Sequence, residues 1–316
     1  MGVERATRDG ASSLATREAL MVRIDPRLPF SIFSPVRRSA RAITGRRPAL
    51  EGLLAAGTIL DKYRIEELVG TGGFGAVYRA THLLLQTTVA IKHLRADVLA
   101  RDPRVVAQLL DEARWAARIQ HPNVVRVYDV TQSPTLTYVV MEYIEGQTLA
   151  EVIAERGGLS PEEVARVGVD VAEGLAAGLA CGLVHRDIKP ANIVLSRTGT
   201  ARIVDLGLAR AGAGVESETQ RKASARPKGG MVGTRGYAAP EQLDDAPAAD
   251  HRADIYSLGV TLDEALHGRR RKGAVVDDAP ASRVTRILSR MIANDPDDRP
   301  TYDVIIEELR SVREGR

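Results

Sequence analysis

The sequence predicts an α+β fold with two lobes. These are a small, strand-rich N-terminal lobe (N-lobe, about residues 58–144) and a larger, mainly helical C-terminal lobe (C-lobe, about 145–312). Short runs rich in β-branched residues lie between residues 63 and 143, which is typical of strands. After Gly146, apolar residues recur instead at helical spacing. A chain of 316 residues, 44% of them hydrophobic, is long enough to bury a core in each lobe.

Residues 1–57 differ from the rest of the chain. They hold many arginines, five of them from Arg37 to Arg47, no lysine, and scattered serine, proline and glycine without a persistent period. This composition predicts a disordered Arg-rich segment, or an over-extended start of the chain. The alternative is a basic arm that binds an acidic partner or a membrane surface.

Composition and charge limit the partners and the compartment. A formal net charge of +3 over 316 residues is too small to indicate nucleic-acid binding. No run reaches the roughly 18 uninterrupted apolar residues that a membrane helix needs, so no membrane span is predicted. The single cysteine, Cys181, cannot form an internal disulfide and suits a reducing compartment, so we expect a cytoplasmic protein.

The N-lobe pattern begins at Tyr63, where a strand runs into a glycine cluster. Further β-branched runs follow, and residues 103–119 place apolar side chains at helical spacing up to a His-Pro-Asn turn. The predicted strands are 63–69, 77–80, 87–92, 124–130 and 137–143.

In the C-lobe the clearest helix start is at Ser160. A serine cap, Pro161 in the first turn, and Glu162 and Glu163 at the positive end of the helix dipole all favour a helix there. A short apolar run at 201–204 predicts a strand further along the chain.

The glycine cluster lies between two predicted strands. That context favours a hairpin over a triphosphate, whereas a glycine turn that opens a helix would indicate a dinucleotide fold. Glycines let backbone N–H groups approach phosphates without a Cβ in the way, although the cluster alone fits a plain hairpin equally well. The candidate nucleotide-binding residues are Val69, Gly70, Thr71, Gly72, Gly73, Phe74, Gly75, Ala76 and Val77.

Lys92 ends a β-branched strand and is placed, relative to the glycine cluster, to contact the α- and β-phosphates. A lysine at a strand end could also simply reach solvent. About twenty residues on, the predicted helix offers Glu112 as a carboxylate partner, because Glu112 and Ala116 lie one turn apart on an apolar face. Asp111 is the local alternative.

Residues 185–192, His-Arg-Asp-Ile-Lys-Pro-Ala-Asn, combine four functional groups within eight positions. With this segment the chain resembles the eukaryotic-like (Hanks-type) bacterial serine/threonine protein kinases, from about residue 63 to 309. The resemblance implies the two-lobed protein-kinase fold. It also implies that Asp187 orients the attacking hydroxyl or accepts its proton, that Lys189 neutralises charge on the γ-phosphate of ATP, and that Asn192 holds a second Mg²⁺.

Asp205, with Leu206 and Gly207 after it, resembles the Asp-Phe-Gly of that family. The resemblance implies that Asp205 is a second metal ligand. Leucine replaces phenylalanine here, so the inactive-state preferences associated with the phenylalanine are not expected to transfer.

Residues 139–146 resemble the hinge segment that joins the two kinase lobes and binds adenine. The resemblance implies that Met141 lines the back of the adenine pocket, with Val77 and Ala90 against the ring. Backbone groups of Glu142 and Ile144 would hydrogen-bond the base, so their side chains are expected to need no particular chemistry.

Residues 233–241 resemble the end of a kinase activation segment. The resemblance implies that Thr234 hydrogen-bonds to the catalytic aspartate and lysine and shapes the pocket for a hydroxyl substrate. It also implies that Glu241 forms a largely buried ion pair with Arg299, and that Asp254 caps the backbone of the catalytic loop.

The polar segment between Asp205 and Gly233 is a candidate activation loop, or simply a flexible loop. Thr219 is the first candidate for phosphorylation, and its phosphate would pair with Arg186 through charge-assisted hydrogen bonds. If the chain modifies itself there, two copies would have to associate.

The predicted activity is transfer of the γ-phosphate of ATP, with Mg²⁺, to serine or threonine hydroxyls of protein substrates. The alternative is a pseudokinase that keeps the fold and binds ATP as a scaffold. It is disfavoured because the lysine, the catalytic aspartate and both metal ligands are present. A small-molecule kinase of related fold is disfavoured by Lys189 and by the 233–241 segment.

Overall fold

The structure is a computed structural model of the chain. It describes residues 53–71, 75–94, 103–133, 136–205, 210–211, 236–244, 249–268 and 282–314. Within these ranges the two predicted lobes are confirmed, as a six-stranded sheet with one helix followed by a mainly helical region.

Six strands form the N-lobe sheet: β1 (Ile59–Leu60), β2 (Tyr63–Thr71), β3 (Gly75–His82), β4 (Thr87–Leu94), β5 (Val127–Gln132) and β6 (Thr137–Glu142). They pair antiparallel in the order β1-β2-β3-β4-β6-β5. One helix, α1 (Pro103–Ala116), connects β4 to β5 in the chain and packs on one face of the sheet.

Side chains alternate along the strands, which gives the sheet two apolar faces. Tyr78, Ile91 and Tyr138 are at most 1% exposed and belong to one cluster. On the other face, Ala90 and Met141 pack with residues of α1. The N-lobe core is therefore split into two layers by its own sheet.

Ordered contacts begin before the predicted N-lobe boundary at residue 58. Leu53 and Leu54 pack against the first apolar cluster, and the Leu54 N–H donates to the Tyr78 hydroxyl at 2.9 Å. The Gly57 N–H donates to the Ile65 carbonyl at 2.8 Å. These contacts extend the packing of the N-lobe back to residue 53.

The C-lobe is built around its longest described helix, α3, against which the helices α5, α6 and α7 pack. No helix within the described ranges combines the length and the apolar character needed to cross a membrane. The helices are α2 (Leu149–Arg156), α3 (Pro161–Ala180), α4 (Pro240–Asp244), α5 (Arg252–His267), α6 (Arg283–Met291) and α7 (Tyr302–Arg313). The short strands are β7 (Gly146–Thr148), β8 (Leu183–Val184), β9 (Ile193–Ser196), β10 (Ala201–Ile203) and β11 (Arg210–Ala211).

The start of α3 is the one that the sequence predicts. The Ser160 side chain accepts a hydrogen bond from the Glu163 N–H, and the Glu163 carboxylate accepts one from the Ser160 N–H at 2.9 Å, which is a capping box. Inside the helix, a Cβ at Gly168 would lie 2.5 Å from Leu309 Cδ1 and 2.9 Å from Leu262 Cδ1. Glycine therefore lets α3 approach α5 and α7 closely.

A segment of the chain before β5 is bonded to the C-lobe. Val124 forms a parallel bridge with Ile203 of β10, and the Val125 N–H donates to the Ile203 carbonyl at 2.8 Å. The Asn123 side-chain amide donates to the Ala201 carbonyl at 2.9 Å. These bonds join the two lobes at a second place, apart from the hinge.

Two predicted boundaries differ from the structure. The predicted strand 124–130 starts only at Val127, because Val124 and Val125 bond to Ile203 of β10. The helix predicted at 103–119 ends at Ala116, and the chain then turns towards β10. The strand therefore loses residues to a tertiary pairing that no local pattern reveals, whereas the helix ends in local turn bonds from Ala117 to Ala113 and from Ile119 to Ala116.

Candidate active site

The loop between β8 and β9 carries three of the predicted catalytic and metal-binding residues. Lys189 Nζ lies 2.6 Å from Asp187 Oδ2, and their side chains are 22% and 11% exposed. The Asn192 amide donates to the Asp187 backbone carbonyl at 2.9 Å. These contacts hold a carboxylate, an ammonium group and an amide within one short loop, as the sequence predicts.

Asp254, in the first turn of α5, holds the backbone of this loop. Its Oδ2 accepts from the His185 N–H at 2.7 Å and its Oδ1 from the Arg186 N–H at 2.6 Å, which confirms the predicted cap. Burial raises the pKa of Asp254, although its electrostatic interaction with His185 and the two backbone bonds act in the opposite direction. Arg186 has a φ of 68°, a conformation that is strained for a side chain of this size. The buried cap therefore holds a strained turn in place directly before Asp187.

Arg186, the predicted partner of a phosphate, is 3% exposed. Its guanidinium donates to the Ala249 carbonyl at 2.8 Å, and its own carbonyl accepts from Gln242 Nε2 at 3.2 Å. Thr219 and Thr234 lie outside the described residues, so their predicted contacts with this site stay predictions.

Lys92, on β4 of the N-lobe, meets Asp205 of the C-lobe. The Lys92 ammonium donates to Asp205 Oδ1 at 2.9 Å. Burial alone would raise the pKa of Asp205, but the charge and the hydrogen bond of Lys92 hold that pKa below its usual value, with a further contribution from His185 and Lys189. The side chain of Glu112, the predicted partner of Lys92, lies outside what the structure describes, as do Leu206 and Gly207.

The position of Asp205 relative to the catalytic loop is fixed by the backbone. The Val204 N–H donates to the Asn192 carbonyl at 3.0 Å. Asn192 and Asp205 therefore offer an amide oxygen and a carboxylate on adjacent backbone segments. Mg²⁺ takes oxygen ligands and is usually held by one or two carboxylates together with substrate phosphates. The side-chain oxygens of Asn192 and Asp205 are donors of this kind, so the residues present fit Mg²⁺.

The predicted glycine loop connects β2 and β3. Gly70 and Thr71 end β2, Gly75 and Ala76 begin β3, and Val69 is 45% exposed. A Cβ at Gly75 would lie 2.2 Å from the His93 carbonyl oxygen, so glycine is required where β3 begins its pairing with β4. The tip of the hairpin, at Gly72, Gly73 and Phe74, lies outside the described residues.

Behind this hairpin, the predicted adenine-binding residues come together. Ala90 and Met141 are directly paired in the register of β4 and β6, and both are 8% exposed. Val77 is paired with Lys92 in the register of β3 and β4 and packs against the same cluster, as does Ile144. The apolar side chains are therefore brought together beside the Lys92 ammonium.

The side chain at the end of the hinge strand has a partner that the sequence does not predict. Glu142 forms a two-point ion pair with Arg202, at 2.6 Å and 2.7 Å. The Glu142 N–H donates to the Arg126 carbonyl at 2.9 Å, so the carbonyl of Glu142 is the group left to face a base. Arg202 is not recognisable as a functional residue from the sequence, because nothing near it in the chain distinguishes it from a solvated strand residue.

The predicted ion pair between Glu241 and Arg299 is confirmed. The guanidinium of Arg299 bonds both carboxylate oxygens, at 2.6 Å and 2.9 Å, and its side chain is completely buried. It also donates to backbone carbonyls and lies over the Tyr256 ring, 5.0 Å from the centroid. The pair fixes α4, which ends the predicted activation segment, to the C-lobe.

Comparison with known protein families agrees with the interpretation of this site. Residues 63–273 match the family model described as the protein kinase domain. This chain belongs to the protein kinase family. The kinase is 38% identical over 226 residues to the serine/threonine-protein kinase PknB of Mycobacterium leprae, an alignment that covers 70% of this chain and 34% of the relative.

Two further relatives agree with that assignment. The PknB of Mycobacterium tuberculosis strain H37Rv is 39% identical over 212 residues, and a probable PknB of Corynebacterium glutamicum is 37% identical over 216 residues. These alignments cover 66% and 67% of this kinase, and 33% and 32% of the relatives. The kinase thus spans about a third of the length of the curated relatives that it matches.

Proposed function

We propose that the chain is a Hanks-type serine/threonine protein kinase that transfers the γ-phosphate of ATP to hydroxyls of protein substrates. The observation that carries the proposal is the ion pair of Lys92 in the N-lobe with Asp205 in the C-lobe, beside the loop of Asp187, Lys189 and Asn192. Phosphoryl transfer requires little covalent chemistry from a protein and depends mainly on positioning and on charge. This arrangement supplies both.

Each residue has a role in this proposal. Lys92 would bind the α- and β-phosphates. Asp187, held by the Lys189 ammonium at 2.6 Å, would orient the attacking hydroxyl and accept its proton. Lys189 would then neutralise charge at the γ-phosphate. Asn192 and Asp205 would hold Mg²⁺, which would supply charge neutralisation at the phosphates.

The adenine and regulatory parts of the proposal rest on the resemblance and on packing. The apolar layer of Val77, Ala90 and Met141 would hold the ring, and backbone groups of Glu142 and Ile144 would hydrogen-bond its edge. Self-phosphorylation between associated copies, with Thr219 as acceptor, remains a prediction. A cytoplasmic location also remains a prediction, supported by the single cysteine.

The experiment is incubation of the purified protein with Mg²⁺ and ATP, read by intact mass, beside an Asp187→Asn variant. We expect the parent to gain mass in steps of about 80 daltons, one for each phosphoryl group, and the variant to gain none. The substitution keeps the size of the side chain and removes the carboxylate that accepts the proton. Asp129→Asn is the matched control, since Asp129 is a 45%-exposed carboxylate paired with Lys62 on the N-lobe surface.

Two outcomes would contradict the proposal. Equal labelling of the parent and of Asp187→Asn would exclude Asp187 as the centre of the reaction. No labelling of the parent or of generic protein substrates, together with stabilisation by ATP, would indicate a nucleotide-binding scaffold. If Asp129→Asn also lost labelling, the loss in Asp187→Asn would be attributed to folding and not to chemistry.

A further inference from the structure

The two-point pair between Glu142 and Arg202 lies at the hinge. The two side chains are 28% and 18% exposed, and Arg202 also donates to the Val124 carbonyl at 3.3 Å. Glu142 is the last residue of β6, and residues 143–145 after it belong to no strand or helix. The pair therefore acts on the point at which the chain leaves the N-lobe sheet.

The C-lobe side of the pair is fixed by several backbone bonds. Arg202 lies in β10, which pairs with β9 and is bonded to residues 123–125. The Ala201 N–H also donates to the Asp170 carboxylate at 2.7 Å. Because β10 is held in these independent ways, removal of the pair is expected to leave β10 in place. Its effect should fall on the Glu142 carbonyl and on residues 143–145, which belong to no strand or helix.

Two ion pairs cross from the N-lobe to the same short stretch of the C-lobe. Lys92 meets Asp205 within the site, and Glu142 meets Arg202 at the hinge, three residues earlier in the chain. The first pair lies where phosphates and metal are proposed to bind, and the second adjoins the backbone proposed to bind adenine. The two pairs therefore lie at the two ends of the proposed nucleotide site.

We propose that Arg202, through Glu142, is a positioning residue for the adenine-binding backbone. The inference rests on the proposed function, because it assumes that the hinge binds a nucleotide. A guanidinium that bonds both oxygens of a carboxylate fixes orientation as well as distance, which an ammonium group does less well. The pair thus holds the Glu142 carbonyl in register with the phosphate-binding end of the site.

The test measures nucleotide binding as well as turnover, in the full chain. We expect Glu142→Gln and Arg202→Met each to raise the Kd for Mg-ADP and the KM for ATP by about tenfold, the size of a lost charge-assisted contact. The kcat at saturating ATP and the KM for a protein substrate should stay within about twofold, because Asp187 and Lys189 are untouched. Arg202→Lys should recover only part of the affinity.

The reversed pair, E142R with R202E, checks that the two side chains act on each other. It should bind Mg-ADP more tightly than either E142R or R202E alone, since it restores opposite charges at the same two positions. Arg290→Met is the matched control, because Arg290 and Glu308 form an ion pair of the same 2.6 Å length on the C-lobe surface. We expect this control to leave both the Kd and the KM unchanged.

Three results would overturn the inference. The first is an unchanged Kd for Mg-ADP in Glu142→Gln and Arg202→Met. The second is a fall in kcat with no change in the KM for ATP. The third is an equal loss of affinity in Arg290→Met. If the parent fails to bind Mg-ADP at all, the proposed function fails first and the inference fails with it. If the parent binds Mg-ADP and the variants bind it with the same Kd, only the inference fails.

Discussion

The two lobes place their polar groups differently. In the described N-lobe sheet the buried polar residues are His93 and Thr137, and neither His93 Nδ1 nor Thr137 Oγ1 has a hydrogen-bond partner. In the C-lobe, buried charged residues such as Arg186, Asp254 and Arg299 each bond backbone groups of separate segments. The N-lobe is therefore held by apolar layers and strand pairing, whereas the loops around the C-lobe site are held by buried charge.

This difference predicts how each lobe fails. Loss of apolar volume weakens a core by an amount that depends on the volume lost. Loss of one member of a buried ion pair leaves the other member without a partner, so the loss of unfolding free energy is large. The predictions below test this contrast, from the largest expected effect to the smallest.

The largest effect is expected for Arg299→Met. It leaves the Glu241 carboxylate and several backbone carbonyls without their donor. We therefore expect the free energy of unfolding to fall by about 3–5 kcal/mol. Denaturant unfolding followed by circular dichroism measures this. Arg290→Met, which breaks an exposed pair, should cost less than about 1 kcal/mol. If both variants lose the same stability, burial is not what distinguishes the two pairs.

A smaller effect on stability, with a larger one on turnover, is expected for Asp254→Asn. An amide in place of the carboxylate turns one acceptor into a donor that faces the His185 or Arg186 N–H. We expect a loss of about 2 kcal/mol in unfolding free energy, the cost of a buried group left without its partner. The strained turn at Arg186 would relax, and kcat should fall more than the KM for ATP changes. An unchanged kcat would show that the cap is dispensable for the catalytic loop.

A graded effect is expected in the apolar layers of both lobes. Ile91→Val in the N-lobe and Ile287→Val in the C-lobe each remove one methylene group from a side chain that is at most 1% exposed. Each should lower the unfolding free energy by about 1 kcal/mol. Agreement between the two variants would place the contrast between the lobes in their charges and not in their apolar packing. A difference of several kcal/mol would break the comparison.

The smallest effect is a dependence on pH that arises in the N-lobe. Burial lowers the pKa of His93 below its ordinary value of 6.5. As the pH falls through 6.5, the unfolded chain takes up a proton that the folded chain does not, so stability is lost until the folded pKa is reached. We expect the unfolding free energy of the parent to decrease in this window, and that of His93→Leu to decrease less. Equal slopes in both proteins would exclude His93 as the source.

The sequence predicts best what lies within a few residues. Asp187, Lys189 and Asn192 were placed together because one short loop carries all three, and the Ser160 cap because its signals are adjacent in the chain. Lys92 and Asp205, far apart in the chain, were tied to one site only through the family resemblance.

What the sequence did not predict depends on tertiary contact. Glu142 and Arg202 are sixty positions apart. Both residue types can occur on a solvent-exposed strand, so no local pattern pairs them. In the same way, Val124 lies in an apolar run that fits a strand of the N-lobe sheet. Its bridge to Ile203 is decided by where β10 runs, which only the folded chain determines.

That bridge has a consequence for dividing the molecule. A cut within residues 143–145, the obvious seam between the lobes, gives a first fragment that still carries residues 123–125, the pairing partners of β10. Separation of the fragments leaves residues 123–125 exposed on the first and β10 exposed on the second, and the two can pair again. We expect the two fragments to reassociate by themselves, without a dimerisation domain fused to each. A split-protein reporter divided at residues 143–145 should therefore give a high background signal.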